Sequence, residues 1–341
     1  MTEQDPHLAV VEFLHRQGLL AAGEDAPLTP LTGGVSSDLW RVDLPSGPIC
    51  VKGALPQLKV AHPWFAPVSR NHVEYQWLRQ AQPLAPGQIP RVLAHDEQAR
   101  LFAMEYLPAG DYPVWKTLLL DGQVDVPAAR AVGALVGTLH AASAADPAAA
   151  AMFATDENFD ALRIGPYLRV TARAHPDLEH RFAELAKCTA STHLAVVHGD
   201  VSPKNILLGP HGPVLLDAEC AWYGDPAFDI AFCINHLLIK SIKLPHQGAA
   251  LRTATRALAD AHAQRVHWEP AENLNRRVAS LTPALALARV DGSSPVEYLS
   301  ETQRTALRSI SRSLVAAPPA SVSELVDRWA TLTEQRKVSV P

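Results

Sequence analysis

The chain has 341 residues, 48% hydrophobic and 19% charged, enough to bury a large core and to divide into two lobes. Its net charge of −5 excludes the basic footprint of a nucleic-acid binder, and no apolar run reaches the ~18 residues of a membrane helix. The N-terminus lacks the regions of a signal peptide, and Cys50, Cys188, Cys220 and Cys233 fall in no CxxC or zinc-like spacing, so the expectation is a soluble cytoplasmic protein with reduced thiols.

Asp5 followed by Pro6 is an N-cap with Pro at N1, and the apolar positions that follow predict one helix to Leu20. Short extended stretches and turns fill about 28–54. Leu39, Trp40 and Val42 lead into a Pro45-Ser46-Gly47-Pro48 turn and 49–51 return, which predicts a hairpin. The spacing of Val73, Trp77 and Leu78 predicts a helix over 70–81, and strands are expected around 91–96 and 101–107. Residues 1–107 therefore read as a small sheet with an inserted helix, and 108–341 as a larger, mostly helical part. In that part Val132, Leu135, Val136 and Leu139 share one helical face. The Ala-rich 141–151 stretch reads as a loop or helix end. Ser294, Pro295 and Glu297 form a capping-box pattern that predicts a helix start.

The chemistry concentrates in 196–232. Three β-like runs, AVV (195–197), ILL (206–208) and PVLLD (213–217), carry polar residues at their ends. His198-Gly199-Asp200 follows the first, Asn205 precedes the second and Asp217 closes the third. Two carboxylates and a carboxamide on adjacent hairpin ends can meet around one cleft. A carboxylate and a carboxamide oxygen are hard ligands suited to Mg²⁺, which shares its shell with water and substrate phosphates. The remaining carboxylate can accept a proton from an attacking hydroxyl. Phosphoryl transfer needs this set, because its catalysis is mainly positioning and charge neutralisation.

HGDVSPKN resembles the H-x-D-x-x-x-x-N catalytic loop of the protein-kinase-like superfamily, in its aminoglycoside phosphotransferase and choline kinase branch. LLDAE resembles that branch's metal-binding strand end, and GDPAFDIAF its G-D-P-x-x-D-[IL]-A. Further back, LTGGVSSDLWRV is similar to the phosphate-covering hairpin, ICVK to the nucleotide-lysine strand, HVEYQWL to the helix with its glutamate partner and AMEYL to the hinge. The resemblance spans about 28–240 and implies an α+β, bilobal protein-kinase-like fold: a small N-terminal sheet lobe and a larger helical C-terminal lobe. It assigns Asp200 as catalytic base or hydroxyl-orienting carboxylate, and Asn205 and Asp217 as Mg²⁺ ligands. Lys52 would contact the ATP phosphates and pair with Glu74. Main-chain groups around Gly33, Gly34, Ser36 and Ser37 would cover those phosphates, and those of Glu105 and Leu107 would hold adenine. Three features depart from the pattern: GGVSSD replaces G-x-G-x-x-G, Lys204 sits directly before Asn205, and the long 55–70 segment carries Arg70.

Other polar residues read as structural. His198 and Asp229 are expected to brace the loop, Trp64-Phe65 and Trp222-Tyr223 to pack, and Glu219 suits metal, substrate or solvent equally. Lys52 in an apolar strand is costly to bury unpaired, which favours ligand or ion-pair duty. The expectation is an ATP-dependent, Mg²⁺-requiring phosphotransferase acting on a hydroxyl of a small molecule, with a pseudokinase as the alternative; a protein kinase is disfavoured by the short Asp217–Asp229 interval. Nucleic acid and membrane are not expected partners, and oligomeric state is left open. AECAWYGDPAFDIA is also similar to methylthioribose kinases, which makes a sugar as suitable an acceptor as an antibiotic. Residues 245–341 carry twelve Lys and Arg against nine Asp and Glu. That balance fits a neutral polyol, or an acceptor bearing a carboxylate or phosphate, better than a polycation.

Overall fold

A computed structural model of the protein describes residues 6–31, 37–55 and 67–338, with the backbone alone for 336–338. Asp5, Gly33, Gly34, Ser36, Trp64 and Phe65 lie outside the described residues. Helix α1 (Pro6–Arg16) precedes β1 (Leu28–Pro30), β2 (Ser37–Leu44) and β3 (Gly47–Ala54); α2 (Arg70–Ala81), β4 (Val92–Asp96) and β5 (Leu101–Glu105) follow. The strands form one antiparallel sheet in the order β1-β2-β3-β5-β4. α1 stops short of Leu20 because the chain turns back at 17–18, and the Leu19 N–H bonds Leu14 O at 3.0 Å. The β2–β3 turn is tighter than expected, with Leu44 already paired to Gly47.

Alternation along β3 and β5 sorts the side chains. Ile49, Val51, Leu101 and Ala103 face α1, packing on Val10, Phe13 and Leu14. Cys50, Phe102 and Met104 belong to the main core on the opposite face, with Trp77 and Leu78 of α2. Lys52 falls in the Cys50 register, so strand geometry alone turns it away from α1.

The larger part is helical: α3 (Trp115–Leu120), α4 (Val126–Ser143), α5 (Pro147–Met152), α6 (Asp156–Phe159), a π-helical segment (Asp160–Arg169), α7 (Val170–Ala174) and α8 (Glu179–Ser191). Four short strands follow, β6 (Ala195–Val197), β7 (Ile206–Gly209), β8 (Gly212–Leu215) and β9 (Trp222–Gly224), paired antiparallel as β6–β9 and β7–β8. The chain continues through α9 (Ala227–Lys243), α10 (Gly248–Ala263), α11 (Ala271–Asp291), α12 (Glu301–Ala316) and α13 (Val322–Val338). The architecture is α+β and bilobal, with α9 as the axis of the helical lobe: sixteen of its seventeen residues are buried.

Two local expectations need correction. The 141–151 stretch is mostly helical, with α4 and α5 separated by a short break and the Asp146 side chain capping α5. Ser294 starts no helix. Its Oγ accepts from Arg289 Nη1 at 2.8 Å, and Val296 is committed at both ends, its N–H to Arg289 O and its C=O to Arg304 Nη2. The capping box forms instead at Ser300 and Gln303, where α12 begins.

α4 and α10 pack at backbone distance. A Cβ on Gly133 would lie 2.0 Å from Leu258 O, a contact that only helix displacement relieves. Gly133→Ala is expected to cost about 1–3 kcal/mol or more, measured by denaturant unfolding. Gly110→Ala, with no atom within 4 Å of the added Cβ, should stay within about 0.5 kcal/mol of the parent.

Candidate active site

Lys52 is buried and reaches two carboxylates at once: Glu74 Oε2 at 2.6 Å and Asp217 Oδ1 at 2.5 Å. Glu74 comes from α2, and Asp217 from just beyond β8 in a left-handed backbone conformation (φ 68°). Such a φ is uncommon for a non-glycine residue and is retained where surrounding contacts enforce it. A parallel pair lies one helical turn away. Arg70, fully buried, donates from Nε to Glu219 Oε2 at 2.9 Å and from Nη1 and Nη2 to Pro67 O and Leu55 O. Arg70 and Glu74 thus dock the first turns of α2 onto Glu219 and Asp217, so Glu219 is an ion-pair partner.

Burial works against the Lys52 charge, but Asp217 and Glu74 outweigh it and hold the ammonium well above its ordinary range. Burial also raises Asp217, yet Lys52 and Lys204 outweigh it and hold that carboxyl well below the usual range. Glu74 takes the other outcome. Burial pushes it up to about 7 despite Lys52, and Asp217 adds to the rise. Two carboxylates share one ammonium, and the more enclosed of them carries the proton cost.

Asp200 and Asn205 sit on the loop between β6 and β7. Leu216 N–H bonds Asn205 O at 2.9 Å, drawing Asn205 beside the Asp217 corner. The Asn205 Nδ2 donates to Asp200 O at 3.2 Å, which leaves its Oδ1 for a cation. Asp200 Oδ2 meets two cations, Arg163 Nη2 at 3.0 Å and Lys204 Nζ at 3.1 Å. Arg163 also donates from Nε to Gly199 O at 2.5 Å, holding the loop by main chain and side chain together. It comes from the π-helical segment, where Pro166 lacks an N–H and the turn widens to Val170 N–H→Gly165 O.

Asp229, fully buried at the start of α9, accepts the His198 and Gly199 N–H groups at 2.7 and 2.8 Å. His140 lies 3.0 Å from the same carboxylate and 3.0 Å from His262. His198 bridges Leu216 O and the Asp200 N–H, so Asp229 and His198 brace the loop as expected from sequence. Gly199 has φ +77°, and a Cβ there would lie 2.5 Å from Cys220 O, so glycine is required. Trp222 is buried and stacks on Phe159, a packing role.

These residues line one cleft of about 600 Å³. Ser37, Lys52, Glu74 and Asp217 stand at one part of it; Asp200, Lys204, Asn205, Tyr167 and Arg289 stand at another. Glu105 and Leu107 are not among its lining residues. The Glu105 N–H donates to Arg91 O at 3.0 Å and its carboxylate accepts the Arg91 N–H at 2.9 Å. Among the described residues no three His, Cys, Asp or Glu are grouped to hold a metal. The oxygen pair Asn205 and Asp217 suits a hard cation whose shell is completed by water and phosphate oxygens.

A family model described as the phosphotransferase enzyme family matches residues 27–242. The chain belongs to the phosphotransferase enzyme family. Methylthioribose kinases of Yersinia pseudotuberculosis and Pectobacterium atrosepticum are 25% and 26% identical over 230 residues, 58% of this chain. Those alignments take in 54% and 55% of the relatives, so the chain spans about half the length of the curated relatives it matches. Among solved structures, a choline/ethanolamine kinase family protein from Mesorhizobium loti aligns with TM-score 0.52 at 16% identity, covering 95% of this chain and 99% of the other. An ethanolamine kinase from Plasmodium vivax aligns with TM-score 0.54 at 10% identity, covering 98% and 95%. Both likenesses establish the kinase-like fold.

Arg163 and Arg289 were not singled out from sequence. The one signal for Arg163 in the sequence was a cation between Leu162 and Ile164.

The Glu74 shift has a signed consequence. Its folded pKa of about 7 exceeds the ordinary 4.5, so the folded chain binds the extra proton between those values and loses stability as pH rises through them. Relative to Glu74→Gln, the wild type should lose stability between about pH 4.5 and 7 in denaturant titrations. A constant difference across that window would contradict the assignment.

Proposed function

We propose that the chain is an ATP- and Mg²⁺-dependent phosphotransferase that moves the γ-phosphoryl group to a hydroxyl of a small molecule. The observation that carries this reading is the convergence of Lys52, Glu74 and Asp217 with Asp200 and Asn205 in one cleft. Lys52, fixed by two carboxylates, presents its ammonium to the nucleotide phosphates. Ser37 lines the same cleft; main-chain groups of Gly33, Gly34 and Ser36 would cover the phosphates, and the Glu105 carbonyl and Leu107 main chain would hold the base. Asn205 Oδ1 and Asp217 would hold the metal, which neutralises charge on the transferring phosphoryl group.

Asp200 orients the acceptor. Both cations address its Oδ2, which leaves Oδ1 to accept a hydrogen bond from the attacking hydroxyl and then its proton. Lys204 and Arg163 fix that carboxylate and place positive charge near the developing transition state. A nucleotide-binding scaffold would not need a doubly braced carboxylate at this point, which favours turnover over the pseudokinase alternative.

Two predictions test the roles. Asp200→Ala should lower kcat at least about a hundredfold while leaving ATP affinity nearly intact; near-wild-type turnover in the folded variant would sink its role. By calorimetry, ATP should bind more tightly with Mg²⁺ than with EDTA, and Asp217→Ala should erase most of that difference. Equal affinity of the wild type in both conditions would refute the metal assignment.

A further inference from the structure

The helical side of the cleft holds a cluster of cations that the phosphotransfer machinery does not use. Lys116 of α3 and Arg289 of α11 line the cleft together with His236 of α9 and the 294–297 segment. Lys240 lies on the same face of α9, one turn beyond His236 and two beyond Phe232, and is buried. Its Nζ stands 5.3 Å from the Tyr298 ring centre, and Lys116 Nζ stands 5.8 Å from the same ring.

The cluster is short of negative charge. Glu297 is the acid on this side of the cleft, and it is paired with Lys116. Among the described residues, neither Arg289 nor Lys240 has a carboxylate within ion-pair distance. Arg289 Nη1 meets two neutral hydroxyls, Tyr167 Oη at 3.0 Å and Ser294 Oγ at 2.8 Å. Its Nε is buried without a hydrogen-bond partner, and so is the Tyr298 hydroxyl. A guanidinium held by two hydroxyls with an unsatisfied N–H, beside a buried ammonium and an unsatisfied hydroxyl, is short of anionic oxygen acceptors. Burial, with Lys116 and Arg289 nearby, pushes Lys240 down to about 7, as expected of a cation lacking a counter-charge.

We propose that this cluster is the acceptor's anion site: the small molecule carries a carboxylate or phosphate that docks on Arg289 and Lys116, with the buried Lys240 close by adding positive charge, while its hydroxyl reaches Asp200. Tyr167 links the two ends, with Arg163 and Arg289 each 5.8 Å from its ring centre. The inference rests on the phosphotransfer reading for the hydroxyl end, whereas the anion end stands on the uncompensated cations. A polycationic acceptor would meet like charge here.

The test is a binding titration over one scaffold in four charge states: D-glucose, D-glucosamine, D-glucuronate and D-glucose 6-phosphate. It needs no turnover, so it is read separately from any failure of phosphoryl transfer. At least one of the two anions should bind tenfold or more tighter than glucose, and whichever is tighter distinguishes a carboxylate from a phosphate site. The preference should fall below about threefold in Arg289→Gln and weaken in the partly exposed Lys116→Gln, which guards against a folding defect in the first variant. Equal affinity across the series, tightest binding of glucosamine, no anion binding below about 10 mM, or a preference that survives both substitutions overturns the proposal.

Discussion

One buried ammonium organises the cleft. Lys52 lies between Glu74 and Asp217, and an uncompensated charge at that depth would cost several kcal/mol. The pair of contacts ties three distant segments together: the β3 strand, the α2 helix and the corner after β8. The Arg70–Glu219 pair repeats the connection one helical turn away, so α2 is fixed in rotation as well as position. The left-handed Asp217 backbone is held by the same contacts that aim its carboxylate.

The loop that carries Asp200 depends on a second buried anion. Asp229 accepts two successive loop amides and is backed by His140 and His262. Burial would raise this carboxyl, but His140, His198 and the loop N–H bond hold it below its usual range. α9 thus holds the loop at its first turn and, through Phe232 and His236, lines the helical side of the cleft.

Much of this was legible in the residues. The cost of burying Lys52 unpaired in an apolar strand pointed to ion-pair or ligand duty, and the placing of Asp200, Asn205 and Asp217 at strand ends let them meet around one cleft. The helix over 70–81 carried Glu74 to its partner. Arg163 was not legible, because its contact with Asp200 spans 37 positions and no local pattern records it. The misplaced capping box has a different cause. Ser294 with Glu297 and Ser300 with Gln303 are equivalent local signals, and the choice was made by bonds from Arg289 and Arg304 that no local pattern records. The lobe-wide balance of 245–341 did not reveal the cation cluster, because of its members only Arg289 lies in that range while Lys116 and Lys240 come from elsewhere in the chain.

The role proposed for the shared lysine is to make this cleft a nucleotide-phosphate site. Calorimetric titration of Mg–ATP into wild type and Lys52→Met tests it most directly. At least a tenfold loss of affinity is expected in a variant that remains folded. Equal affinity in the two proteins would contradict it.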